Sequence, residues 1–224
     1  MVAKPVVALF DVDETLIHTG GAGARSWNAA FEKVYGLPAD IGKHTSAGET
    51  DPQVARETFV GVLGREPVGD ELDPLYAQYL LAMSTDIWSS AEYRMLPGAD
   101  VVLQRLVDAG VILGIVSGAM EGAARTKLMP ANLNRFFLFG AYGSDSPDRG
   151  ELTRIAVEKA GRLHADLSPA DVFVVGDTPL DIAAAHAADA VSVGVATGKY
   201  SAAELRDAGA AHVLDSLEDG FPGL

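Results

Sequence analysis

Short apolar runs, most of them rich in β-branched residues, punctuate the chain at Val6 to Phe10, Ile112 to Val116, Phe136 to Phe139, Val172 to Val175 and Val191 to Val195. Runs of this length without polar alternation predict strands buried on both faces, as in a parallel sheet. Between them lie helical stretches of roughly 10 to 15 residues, among them Ala99 to Ala109 behind Pro97-Gly98 and Glu151 to Arg162. Strand and helix in alternation predict an α/β fold with a doubly wound parallel sheet.

The first two runs break the rhythm. About a hundred residues separate Phe10 from Ile112, far more than one crossover needs, so an insertion is expected there. Its apolar positions follow a helical period. Trp27, Phe31, Val34 and Tyr35 form one stripe, and Leu72, Leu75, Tyr76, Tyr79, Leu80, Met83 and Ile87 form a longer one. Asp51-Pro52 reads as an N-cap followed by proline at the first helical position, opening a third helix through Val54, Thr58 and Val62. The expected organisation is a Rossmann-like core from residues 1–16 and 97–224, with an α-helical cap over residues 17–96. Aromatic residues at this spacing, Trp27, Tyr76 and Tyr79 among them, are read as core.

Composition narrows the chemistry. The 224 residues are 48% hydrophobic, enough for a full core, and contain no cysteine. Neither a disulfide framework nor a thiolate metal site is therefore available, and a cytoplasmic location is expected. No apolar run has the length of a membrane span, and MVAKPVV does not read as a signal peptide, so no membrane association is expected. A net charge of −14 argues against nucleic acid as a partner. An anionic substrate would need a local positive centre, and a metal could supply it.

The candidate chemistry sits at strand ends, where open α/β sheets bind ligands. Asp11 and Asp13 follow the first strand, Ser117 closes ILGIVS, and Asp177 closes VFVVGD. Asp181 comes four residues after Asp177 in GDTPLD, one turn into a helix that Pro179 opens. Each acid alone could be a turn former or helix cap. Four converging carboxylates would instead repel one another unless protonated or neutralised by a hard cation. Oxygen donors alone favour magnesium over zinc.

DVDETL at 11–16, VSG at 116–118 and GDTPLD at 176–181 together resemble the motifs of the haloacid dehalogenase-like hydrolases, and the match spans nearly the whole chain. A helical cap placed directly after the first motif is similar to the phosphoglycolate phosphatase and β-phosphoglucomutase branch. The resemblance implies a magnesium-dependent phosphatase of a small phosphorylated metabolite. In it, Asp11 is the nucleophile and a metal ligand, and Asp13 is general acid and base with its backbone carbonyl on the metal. Ser117 and Gly118 bind the phosphoryl group, Asp177 ligates the metal, and Asp181 acts on the metal through water or by orienting its neighbours. An aspartate at position 13 fits phosphoryl rather than dehalogenase chemistry, because an alkoxide needs a proton to leave whereas a halide does not.

Three departures from the family pattern stand out. Glu14 replaces the glycine common after the second aspartate, and Ala119 replaces an asparagine often found after the second-motif glycine. The lysine expected ahead of the fourth motif is missing, since between Ala141 and Gly176 the only lysine is Lys159, in mid-helix. Arg149, in DSPDRGEL, is the expected replacement, because a guanidinium can pair both nucleophile and phosphate; Lys127 is the alternative.

GGAGAR, residues 20–25, lacks the rest of a dinucleotide fingerprint and reads as a cap hinge. By analogy with the branch, SAGETD at 46–51 is the substrate-reading loop, with Glu49 and Thr50 as substrate-binding residues, while His44 beside it is read as exposed. Two further functions stay open: a phosphomutase of the same branch, and a non-catalytic phosphate-binding or interaction protein. The sequence leaves substrate and oligomeric state undetermined.

Overall fold

The computed structural model describes residues 4–224. In chain order its strands and helices are β1 (Val7–Phe10), β2 (Ile17–His18), α1 (Ala22–Tyr35), α2 (Asp51–Leu63), α3 (Asp73–Ser89), β3 (Arg94–Met95), α4 (Ala99–Asp108), β4 (Ile112–Ser117), α5 (Glu121–Leu128), β5 (Phe139–Tyr142), α6 (Arg149–Gly161), β6 (Val172–Gly176), α7 (Pro179–Ala187), β7 (Val191–Val195), α8 (Ala202–Asp207) and β8 (His212–Leu214). Six strands form a parallel sheet in the order β5-β4-β1-β6-β7-β8.

Both faces of the sheet are covered, which is why the strands read as unbroken apolar runs. Val7 and Leu9 of β1 join Val172 and Val174 of β6 and Leu152, Ala156 and Ala185 from α6 and α7 on one side. Ala8 and Phe10 pack on the other side with Leu103 and Leu106 of α4 and with Phe173, Val175 and Phe221. The chain runs from β1 to β4 on one flank and on to β6 on the other, so the connections diverge around β1. Strand order therefore reverses beside β1, and a cleft opens at the carboxyl ends of the three middle strands.

One strand lies elsewhere than the sequence suggests. Leu133–Phe136 form a 3₁₀ turn, and β5 starts at Phe139, where pairing with Gly114 of β4 begins. Phe136 and Phe137 are apolar because they are buried in the core beside the sheet rather than in its ladder. The edge strand β8, half-buried throughout, carries too little apolar signal to be foreseen.

Between β1 and β4 the helices α1, α2 and α3 pack on one another through Trp27, Phe31, Phe59, Leu75, Tyr79 and Met83. Trp27 and Tyr79 stack with ring centroids 3.9 Å apart and planes inclined by 9°. The chain enters and leaves this helical part through β2 and β3, paired antiparallel as Ile17 with Met95 and His18 with Arg94. Thr50, not Asp51, is the N-cap of α2: its backbone N–H donates to Gln53 Oε1 over 2.9 Å, and Asp51 is already helical. The Asp-Pro signature thus located the helix start one residue late. No helix among the described residues is long and apolar enough to cross a membrane.

Candidate active site at the strand ends

Three adjacent strands deliver the site. Asp11 follows β1, its backbone N–H bonded to Val175 O of β6 at 2.9 Å. Ser117 is the last residue of β4, and Asp177 follows β6. Asp181 sits in the first turn of α7, where its backbone N–H and one carboxylate oxygen form a capping box with Thr178. Asp11, Asp177 and Asp181 are all buried, and each offers one carboxylate oxygen within 4.8 Å of the others. The Asp13 side chain lies outside this cluster and is turned to Lys127.

The electrostatics follow from that crowding. Burial pushes Asp177 up to about 8, with the charges of Asp181, Asp11 and Glu14 adding to it. Burial likewise raises Asp11 to about 7, against the pull of Arg149. A concave, oxygen-only donor set in which burial and neighbouring charge raise Asp11 and Asp177 suits a hard divalent cation, which would offset the repulsion and displace their protons.

Two basic side chains enter from different elements. Arg149, the first residue of α6, places Nη2 3.5 Å from Asp11 Oδ2, pairs with Asp181 Oδ1, and donates through Nη1 to Gly48 O at 3.0 Å. Lys127, near the end of α5, is buried and donates from Nζ to Asp13 Oδ2 at 2.6 Å. Burial works to lower the Lys127 pKa, but the carboxylates of Asp13 and Asp51 outweigh it and hold the amine protonated. Lys159, by contrast, donates to Gly140 O and lies away from the cleft.

A cavity of about 280 Å³ covers these groups, lined by Asp11, Asp13, Ser117, Gly118, Arg149 and Asp177 on the sheet side. The helical side contributes Trp27, Ile41, Glu49, Asp51, Val54 and Tyr79. Trp27 and Tyr79 are thus both core residues and cavity wall. Gly118 is hemmed in, since a Cβ there would lie 2.9 Å from Arg149 Nη1 and 3.0 Å from Glu49 O. Gly198 leaves room for Asp177, whose Oδ2 would sit 1.9 Å from a Cβ at that position.

Thr50 is not brought to the cavity. It is fully buried, with its hydroxyl directed to Pro147 O at 3.1 Å, so helix capping and tethering use the groups that were expected to meet substrate. His44 is half-buried, its ring packed over Gly61 of α2. Asp51 is the residue that the motifs did not reveal. Its carboxylate accepts the Met120 N–H at 2.7 Å, its own N–H donates to Gly118 O at 2.8 Å, and burial raises it to about 6 against the attraction of Lys127. Its place in SAGETD and the Asp51-Pro52 pair were the sequence signals, and neither pointed to this role, because both partners lie about 70 residues away.

A family model for haloacid dehalogenase-like hydrolases matches residues 6–189, which includes every group named in the acidic cluster. The chain belongs to the haloacid dehalogenase-like hydrolases. Solved structures of similar fold include one from Haemophilus somnus described as a predicted phosphoglycolate phosphatase, at TM-score 0.75 and 21% identity over 96% of this chain and 95% of the other. CbbY from Rhodobacter sphaeroides, solved with phosphate, aligns at TM-score 0.69 and 19% identity over 95% and 94%. A hydrolase from Pseudomonas syringae aligns at TM-score 0.72 and 22% identity over 96% of each chain. At these identities the likeness concerns fold. No protein with a curated description matches the chain.

Within this hydrolase fold Glu14 holds the position where the family commonly has glycine, and its φ of 57° shows why glycine is common there. The left-handed conformation costs a side chain with a Cβ about 1–2 kcal/mol. Thr197 Oγ1 donates to Glu14 O at 2.6 Å, and the carboxylate contacts His18 Nδ1 at 2.6 Å, so one distant and one local bond hold the strained residue.

Proposed function

We propose that this hydrolase is a magnesium-dependent phosphatase of a small phosphorylated metabolite, working through an aspartyl-phosphate on Asp11. The observation that carries the reading is the division around Asp11: Arg149 and the acidic cluster on one side, and Asp13 with its own cation Lys127 on the other. A nucleophile between a phosphate-neutralising group and a separately held proton carrier is what two-step phosphoryl transfer needs.

Asp11 attacks phosphorus in line with the leaving oxygen, and Asp13 delivers a proton to that oxygen as the P–O bond breaks. The alcohol departs, leaving the phosphoryl group on Asp11. Asp13, now a carboxylate, takes a proton from an entering water whose oxygen attacks the same phosphorus, and Asp11 is released with inorganic phosphate. Ser117 and the backbone N–H groups by Gly118 donate to phosphoryl oxygens as charge builds. Arg149 holds Asp11 and neutralises the phosphate with its planar fork.

Asp11 and Asp177 would hold magnesium directly, Asp13 through its backbone carbonyl, and Asp181 through water, because one Asp181 oxygen bonds Thr178 and the other Arg149. Bound there, the cation would neutralise developing phosphoryl charge. Residues 17–96 serve as the cap that excludes water, with Glu49 facing substrate. A cytoplasmic setting, without nucleic-acid or membrane partners, accompanies the reading. The direct experiment is phosphate release from a panel of phosphorylated sugars, glycolate, nucleotides and pyrophosphate, with magnesium and with chelator. Absence of release from every ester with magnesium present would overturn the proposal.

A further inference from the structure

The end of the cavity that surrounds Asp13 has a charge balance that bears on the substrate. With Asp13 as the acid, the leaving alcohol must lie there. Lys127 is the one cation at this end among the described residues lining the cavity, and Asp13 Oδ2 already holds it at 2.6 Å. Asp51 adds a second buried carboxylate, beside the Trp27 indole and the Tyr79 hydroxyl. Glu49 lines the same cavity and has a buried oxygen, Oε2, with no hydrogen-bond partner. Around the whole cavity, six carboxylates stand against two cations. Arg149, the second cation, is committed to Asp11 and Asp181 at the phosphate end.

An anionic group on the leaving alcohol would meet the carboxylates of Asp51 and Glu49, and Lys127, the cation at this end, already faces Asp51, so no free positive partner is left in a site where burial strengthens repulsion. Hydroxyl groups suit it, because each can donate to a carboxylate oxygen, and the unpartnered Glu49 Oε2 is an acceptor in want of a donor. Trp27, Val54 and Ile41 give the remaining wall apolar surface for carbon. The cavity of about 280 Å³ has room for a small ester.

We infer that the leaving group is a small, uncharged, hydroxyl-bearing alcohol, and that Asp51 and Glu49 discriminate against phosphate esters carrying a carboxylate. This rests on the phosphatase reading of the site and specifies its substrate class.

The test compares esters matched in size and differing at one group: 2-hydroxyethyl phosphate with 2-phosphoglycolate, and glycerol 3-phosphate with 3-phosphoglycerate. 4-Nitrophenyl phosphate serves as a general report of hydrolysis. For the wild-type protein kcat/KM should favour the hydroxyl member of each pair by about tenfold or more, the scale of one uncompensated like charge a few ångströms away. Asp51→Asn and Glu49→Gln should each narrow that ratio mainly by raising kcat/KM of the carboxylate ester. Glu49→Gln lies in a loop and keeps the test available if Asp51→Asn does not fold. Equal or better use of the carboxylate members, with 4-nitrophenyl phosphate also cleaved, would overturn this inference and leave the phosphatase reading standing. Failure to cleave any of the five esters would overturn this inference, and failure on the wider panel of phosphate esters as well would overturn both.

Discussion

Lys127 Nζ lies 2.6 Å from Asp13 Oδ2, although the two residues are 114 positions apart. The lysine is almost wholly buried and the Asp13 carboxylate is 38% exposed. The cleft thus keeps its two basic side chains for two neighbouring aspartates: Arg149 for Asp11 and Lys127 for Asp13.

Lys127→Met should lower stability by roughly 1–3 kcal/mol, because it leaves Asp13 and the buried Asp51 without their cation, while the exposure of Asp13 keeps the loss below that of a fully buried pair. Urea unfolding at pH 7 measures it. Unchanged stability would mean that water already satisfies both carboxylates.

Arg149→Ala should reduce turnover by orders of magnitude, and Arg149→Lys should retain part of it, since the charge survives but the fork that spans Asp11, Asp181 and Gly48 O is lost. Steady-state rates on one ester decide the matter. Near-normal turnover of Arg149→Ala would remove Arg149 from the reaction.

Asp11→Asn and Asp13→Asn should fail differently. The first should form no covalent phosphate, because an amide is a poor nucleophile. The second should slow alkyl phosphate hydrolysis by about 10²- to 10⁴-fold. With an aryl phosphate, whose leaving group needs little protonation, it should give a burst of phenol and a phosphorylated Asp11 visible by mass spectrometry. An adduct on any other residue would refute the assignment.

Magnesium should be required for activity and calcium should inhibit, because calcium prefers more oxygen ligands in looser geometry. Stability adds a second readout. In the metal-free protein Asp11 at about 7 and Asp177 at about 8 both lie above their ordinary value of 3.8. Between pH 4 and 8 the folded state therefore binds more protons than the unfolded one, so stability falls as pH rises through that window. Magnesium competes with those protons, and the increase in Tm on adding it should be larger at pH 8 than at pH 5.5. A pH-independent increase would place the cation elsewhere.

Glu14→Gly should raise stability by roughly 0.5–1 kcal/mol, since glycine takes the φ of 57° without the Cβ penalty although it gives up some of that gain as unfolded-chain entropy. Chemical denaturation of the metal-free protein checks it. A loss would show that the contact between Glu14 and His18 outweighs the strain.

The sequence by itself determined the four inner strands of the sheet, β4, β1, β6 and β7, and the address of the chemistry. Val7–Phe10, Ile112–Ser117 and Val172–Gly176 are apolar on both faces because helices cover both, and that pattern is local. The position of Asp11, Ser117 and Asp177 at carboxyl ends follows from the same strands without knowledge of any contact. The start of β5 was not legible, because Phe136 and Phe137 are as apolar as strand residues while packing beside the sheet, and only the register against Gly114 separates the two. Tertiary structure alone assigned Lys127 to Asp13, added Asp181 to the Arg149–Asp11 pair that the sequence led one to expect, brought Asp51 onto the Met120 N–H, and turned the Thr50 hydroxyl to Pro147 rather than the cavity. Each of these joins parts of the chain separated by at least 32 residues. Local periodicity fixes which face a residue presents, whereas which charge it meets depends on how α2, α3 and α5 pack above the strand ends.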